Sequence, residues 1–286
     1  MKTQQRYQFR IVEPKHIDPN SGQELVNAPE PEPFESPASW LSRLALMQGA
    51  QVRDLLSYLN IDKQRDIDLQ IATLDTAHIA RVCGLPESSF SFMKHMFAQL
   101  REIDGDGKTF LLQKDSLARY RFCPRCLGEQ HTPHFPLHWR FKAWRWCPLH
   151  NCLLSDFCPR CRAIVVMPMN MLKAGRRGLG IAHLFNCQVC GVKLMNKPKT
   201  KRIKVSKYRL SINDHFLLAN GRTLLSALYH TKFKMGASPQ KYTVSAIRGL
   251  EVQGYFPPEV MRYEFNEPNP KPRYRHPISN QLMGRA

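Results

Sequence analysis

No run of about 18 apolar residues occurs anywhere in the chain, so the sequence offers no membrane-spanning helix. No apolar stretch follows the polar opening Met1 to Arg10, so no secretory signal is read there and the expected location is the cytoplasm. The Gly-x-x-x-x-Gly-Lys loop that cradles a nucleotide's phosphates is missing, and so is the His-Glu-x-x-His helix of zinc proteases. No His-x-Glu precedes a Pro-Cys-x-x-Cys, which removes the zinc-deaminase pattern. Acidic residues are few, 23 against 42 Lys and Arg. They are too sparse near the cysteines to build a two-metal nuclease. No enzymatic activity is expected.

What the chain does have is positive charge and cysteine. The formal net charge is +19, unevenly spread. Residues 1–60 hold six Lys/Arg against seven Asp/Glu, whereas residues 171–286 hold 21 against five. A block that basic attracts polyanions without reading sequence. Its densest part runs from Lys193 to Arg209, with eight Lys/Arg and no acid. Lys197, Lys199, Lys201, Arg202 and Lys204 are the candidate phosphate contacts; a solvated linker is the bland alternative. Nine cysteines in a reducing compartment point to metal rather than disulfides.

Hydrophobic patterning predicts helices first. Residues 7–12 alternate as a short strand would, and proline-rich residues 13–35 read as a loop. Ser36-Pro37 is a cap followed by a first-turn proline, with Trp40, Leu41, Leu44 and Met47 on one face and Gly49 as terminator. Val52, Leu55, Leu56 and Leu59 suggest a second helix. Thr76 is the expected cap of a helix carrying Ile79 and Val82. Gly84 turns the chain into a further helix with Phe90, Met93 and Phe97. That order is the helix-turn-helix pattern, which an ordinary helical hairpin shares. Its second helix offers only Lys94 and His95 to phosphates, and Cys83 reads as a small core residue. Helices are also expected at 213–219, 222–230 and 244–254, before a tail from Pro257 with six prolines and few apolar residues.

Four two-residue spacers fall within 68 residues: Cys123-x-x-Cys126, Cys147-x-x-His150, Cys158-x-x-Cys161 and Cys187-x-x-Cys190. A two-residue spacer lets both ligands of one tight turn reach the same tetrahedral ion. Gly128 and Gly191 are suitable turn residues. Eight ligands fill two closed sites, so two structural zinc ions are expected. Consecutive pairing assigns the first four ligands to one ion and the last four to the other; a cross-braced arrangement uses the same eight. Cys152 is a spare thiol that competes with His150, whose spacing matches the other turns. His131, His134 and His138 read as loop or core residues. Trp139, Phe141, Trp144 and Trp146 alternate with Arg140, Lys142 and Arg145, a pattern for packing or for base stacking. The fold class is α+β. An α-helical helix-turn-helix region (1–114) precedes two zinc ribbons (115–195), a basic helical region (196–256) and an extended tail (257–286). The first helices are expected to have a core of their own.

The order Phe122-Cys-Pro-Arg-Cys-Leu127, Leu137-His-Trp-Arg140, Cys147-Pro-Leu-His150, Leu153-Leu154 and Cys158-Pro-Arg-Cys161 resembles the TniQ/TnsD family of transposon target-selection proteins. Glu35 to Arg43 is similar to the family's N-terminal opening, and Ile79 to Met93 to its helix-turn-helix. The resemblance runs over about residues 30–195. It implies a non-catalytic adaptor that links a target-site recogniser to the AAA+ transposition ATPase (TnsC-like); a homodimer is a further partner expectation for this chain. The recogniser would be a CRISPR RNA-guided effector complex (Cascade-like), an expectation taken from chain length, or target DNA itself. The alternative is a sequence-specific zinc-ribbon DNA-binding protein, either an attachment-site reader or a transcription regulator.

Overall fold

A computed structural model describes residues 24–62, 66–172, 183–195, 212–234 and 239–252. The strand expected at 7–12, the Lys197–Lys204 cluster and the tail from Pro257 lie outside the described residues.

Helix α1 is Pro37–Met47. Ser36 caps it, its Oγ accepting from Ser39 N at 3.3 Å, and Gly49 at φ +62° ends it. Trp40, Leu41 and Leu44 turn inward. They pack toward α2 (Val52–Tyr58) and α3 (Ile67–Gln70). α3 was not foreseen, since a single turn with one aspartate inside it and another as its cap carries no apolar period. α4 is Thr76–Cys83. Its cap is Asp75 rather than Thr76: the Asp75 carboxylate accepts from His78 N at 3.0 Å. Carboxylate and hydroxyl are both good caps, and here the residue one position earlier makes the bond. Gly84 at φ +63° closes α4. A 3-10 turn, Glu87–Phe90, then leads into α5, Ser91–Ile103.

Three short strands form an antiparallel sheet, β1 (Gln113–Lys114), β2 (Leu117–Tyr120) and β5 (Val165–Met167), with β2 central. Arg119 faces Val166 and Tyr120 faces Val165 across it. Between β2 and β5 run α6 (Pro124–Glu129) and the hairpin β3 (Trp146–Cys147) and β4 (Cys152–Leu153). Beyond lie α7 (Ile212–His230), the hairpin β6 (Lys232–Lys234) and β7 (Lys241–Thr243), and α8 (Ile247–Val252). The two helices expected at 213–219 and 222–230 are therefore one, and Gly221 lies inside it. A side chain there would meet Trp144: an added Cβ would lie 3.0 Å from Trp144 Cε3. The glycine serves a close approach, not a break.

The core is continuous. Buried apolar residues from Ala38 and Trp40, through Phe97, Phe122, Trp139 and Cys123, to Leu228 and Ile247 form one cluster. The first helices thus do not have a core of their own. Trp139, Phe141, Trp144 and Trp146 are all buried, which settles the aromatic alternation as packing.

Charges stitch the same interface. Arg140, wholly buried, donates from Nη1 to Asp66 Oδ1 at 2.9 Å and to Asp68 Oδ2 at 2.6 Å. Asp68 also accepts from Ala38 N at 2.7 Å and from the Tyr120 hydroxyl. A second buried pair, Arg43 and Glu35, holds the start of α1. Ser39 Oγ there accepts from Phe135 N at 2.9 Å.

Candidate metal centres

Local backbone shapes each ligand turn. At the first, Cys123 is the N-cap of α6, and its Sγ accepts from Cys126 N at 3.5 Å. The chain continues as helix, so Gly128 is a helix residue near Met195 and has no turn role. At the other three turns a left-handed residue directly follows the second ligand: Asn151 (φ +48°), Arg162 (φ +60°) and Gly191 (φ +72°). Asparagine and glycine adopt that conformation readily, whereas arginine does so at a cost. Backbone bonds close the last two turns alike. Arg162 N donates to Cys158 O at 3.1 Å and Gly191 N to Cys187 O at 2.8 Å.

The eight side chains converge in two groups, in consecutive order: Cys123, Cys126, Cys147 and His150, then Cys158, Cys161, Cys187 and Cys190. Within each group all ligand atoms lie within 4.8 Å of one another. Zinc ligands lie about 2.0–2.3 Å from the ion, so a tetrahedron of them has edges of about 3.3–3.8 Å. In the first group Cys126 Sγ is 3.5 Å from Cys147 Sγ. His150 Nδ1 is 3.4 Å from Cys123 Sγ, 3.2 Å from Cys126 Sγ and 3.5 Å from Cys147 Sγ. In the second group Cys158 and Cys190 are 3.7 Å apart and Cys161 and Cys187 3.6 Å. These spacings are compatible with two metal ions.

The chemistry of the donors agrees. Hydrogen bonding from Cys126 holds Cys123 down to about 6. Hydrogen bonds from Cys123, Cys126 and Cys152 push Cys147 far below the ordinary thiol range. A thiolate is the ligand form, and crowding four thiols favours ionising some of them, Cys123 and Cys147, while the same hydrogen bonds push Cys126 and Cys152 up. His150 aims Nδ1 at the sulfurs, while Nε2 lies 2.7 Å from Glu129 Oε2. A carboxylate on the far nitrogen fixes the ring's tautomer and orientation. Sequence reasoning missed Glu129; only its place at the end of the helix that starts at Cys123 brings it there.

Cys152 lies 3.8 Å from Cys123 Sγ, beside the first group but outside its four. His131, His134 and His138 are outside both groups. Cys83 is buried, and burial pushes its thiol up to about 12, as a core residue should show. Lys94 Nζ reaches Thr76 Oγ1 at 3.5 Å, and His95 Nε2 lies 3.1 Å from the Tyr229 carbonyl oxygen on α7. Lys94 and His95, the two phosphate partners that the sequence offered there, are thus engaged within the protein.

No curated protein matches the chain. The sequence model of the TniQ family matches residues 27–154. That segment takes in α1 through β4 and the whole first ligand group, and it stops before Cys158, short of the resemblance that extends to about residue 195. This match gives the chain a TniQ domain over residues 27–154, a domain associated with transposition.

Proposed function

We propose that the chain is a non-catalytic adaptor of transposition, joining an RNA-guided effector complex (Cascade-like) to the AAA+ transposition ATPase (TnsC-like). The observation that carries this reading is the TniQ match over residues 27–154. Two structural zinc ions would be held by the two four-residue groups. Zinc would supply folding energy there and no chemistry, because four protein ligands leave no open position. α4, Gly84 and α5 form the helix-turn-helix of this reading. Their use against a protein partner, rather than a base-reading one, is supported by the engagement of Lys94 and His95 within the chain. Lys197, Lys199, Lys201, Arg202 and Lys204 would lie near phosphates in the assembled complex.

The test is co-purification. The chain should bind the effector complex and the ATPase together, and should neither cut DNA with added Mg²⁺ nor hydrolyse ATP. Sequence-specific binding to duplex DNA by the chain alone, with no effector present, would overturn this reading in favour of an attachment-site reader.

A further inference from the structure

The last described part of the chain, α7 with the β6–β7 hairpin, encloses a cleft of about 650 Å³ that the adaptor reading does not use. Arg222, Thr223, Ser226 and His230 line one side. Their spacing of one, four and eight residues puts them along one face of α7. Lys232, Lys234 and Lys241 line the other side, with Phe233 as an apolar floor. The strand period explains the split: Phe233 is buried, while Lys232 and Lys234 alternate to the outside.

Every charged group in this lining is a cation or a histidine, and no carboxylate lines it among the described residues. Arg222, Lys232, Lys234 and Lys241 have no ion-pair partner among the described residues. The one acid of α7 outside its last turns, Asp214, lies eight residues before Arg222. That places it about 12 Å along the axis.

The hairpin carries a sharper sign. Lys234 and Lys241 are register partners across β6 and β7. Like charges directly opposite in an antiparallel pair repel at about 5 Å and destabilise it. A two-stranded hairpin gains nothing from that pairing, and an anion between the two ammonium groups converts the repulsion into attraction. Thr223 and Ser226 add neutral hydroxyl donors suited to phosphate oxygens.

We propose that this cleft binds the phosphodiester backbone of a nucleic acid, with Lys232, Lys234, Lys241 and Arg222 as phosphate contacts. It rests on the charges of this unit and not on the adaptor reading, and its residues are other than those of the Lys197–Lys204 cluster. Binding there follows the backbone and not the bases, because the lining presents cations and hydroxyls but no exposed aromatic platform.

The test uses the full chain with labelled duplex DNA and labelled single-stranded RNA of arbitrary sequence, titrated at several salt concentrations. K232Q/K234Q/K241Q should weaken binding about tenfold or more at low salt. For duplex DNA it should flatten the salt slope by about 2–3, and for single strands by about 2. Loss with either polymer supports the site, and the polymer with the larger loss is the one bound. K232R/K234R/K241R should retain affinity, and the glutamine variant should melt no lower than the parent because repulsion is relieved. R53Q/K108Q/K114Q removes the same number of charges elsewhere and should change affinity less. Unchanged affinity and slope with both polymers overturns the proposal. So does a loss just as large in the control variant, which would make the effect one of net charge.

Discussion

Arg140 gathers two buried carboxylates around one buried cation. Its guanidinium serves Asp66, Asp68 and the Leu112 carbonyl with no exposure at all. Burial raises the Asp68 carboxyl above its ordinary value, and the Arg140 charge works against that rise. Removing the cation leaves two buried carboxylates without a compensating charge, which costs about 3–5 kcal/mol. R140M should therefore lower stability by that amount in a denaturant melt, although methionine fills much of the volume. Sequence alone placed Arg140 in an aromatic-basic alternation and could not name its partners, because Asp66 and Asp68 stand more than 70 residues away. The metal-ligand candidates were legible for the opposite reason: a two-residue spacer is local. His138 supplies a pH test. Burial depresses its imidazole to about 4, and its Nδ1 has no hydrogen-bond partner. Its ordinary value is near 6.5, so the native state demands the neutral form. The associated stability is fully present above about pH 6.5 and is lost as pH falls toward 4, up to about 3 kcal/mol. H138Q should lose less stability over that window than the parent; identical pH profiles of melting temperature would sink the assignment.

At the level of elements, α7 shows what a glycine in a sequence can hide. Gly221 between two apolar stretches reads as a break, yet the helix passes straight through it. An Ala in an exposed helix interior would gain about 0.5–1 kcal/mol over Gly. Here the added methyl would press on Trp144, at 3.0 Å from Cε3 and 3.5 Å from Cα and Cβ. G221A should thus forfeit that gain, and G221V should melt clearly lower, with the tryptophan emission shifted in both. A normal propensity gain in G221A would mean that Trp144 yields freely. The knuckles divide along a similar line. Gly191 was readable as a turn residue and Asn151 is of a type that favours the same left-handed place, but Arg162, which also takes it, carries no such signal. Gly128, which looked equivalent, sits in a helix because Cys123 caps one. α1 was legible from its cap and proline, both local. α3 was not, because Asp68 and its cap Asp66 serve a partner, Arg140, supplied from far along the chain.

For the whole molecule, the continuous core decides what metal loss would do. A structural zinc contributes on the order of 10 kcal/mol to folding. A domain's total stability is about 5–15 kcal/mol. Losing one such ion therefore removes most of the margin, unless the rest of the chain folds independently. Independence is not what the packing offers. Cys123 is fully buried in the same cluster as Trp40 and Leu44 of α1. The Tyr120 hydroxyl, three residues before it, lies 2.6 Å from the Oγ of Ser36, the cap of that helix, and accepts from it while donating to Asp68. β5, four residues after Cys161, pairs with β2, and Met169 N donates to Ser42 Oγ on α1 at 2.8 Å. Both ligand groups are thus tied to the first helices by backbone pairing and buried hydrogen bonds. Purified protein should carry about two zinc ions per chain. C123S and C158S should each lose one ion, and helical circular dichroism should melt in a single transition at a lower temperature in both. A chelator should produce the same single transition in the parent. Helices that melt separately, at the parent's temperature, after either substitution would show that the shared core does not couple the metal units to α1. Zinc content near zero in a fully folded protein would remove the metal from the account altogether.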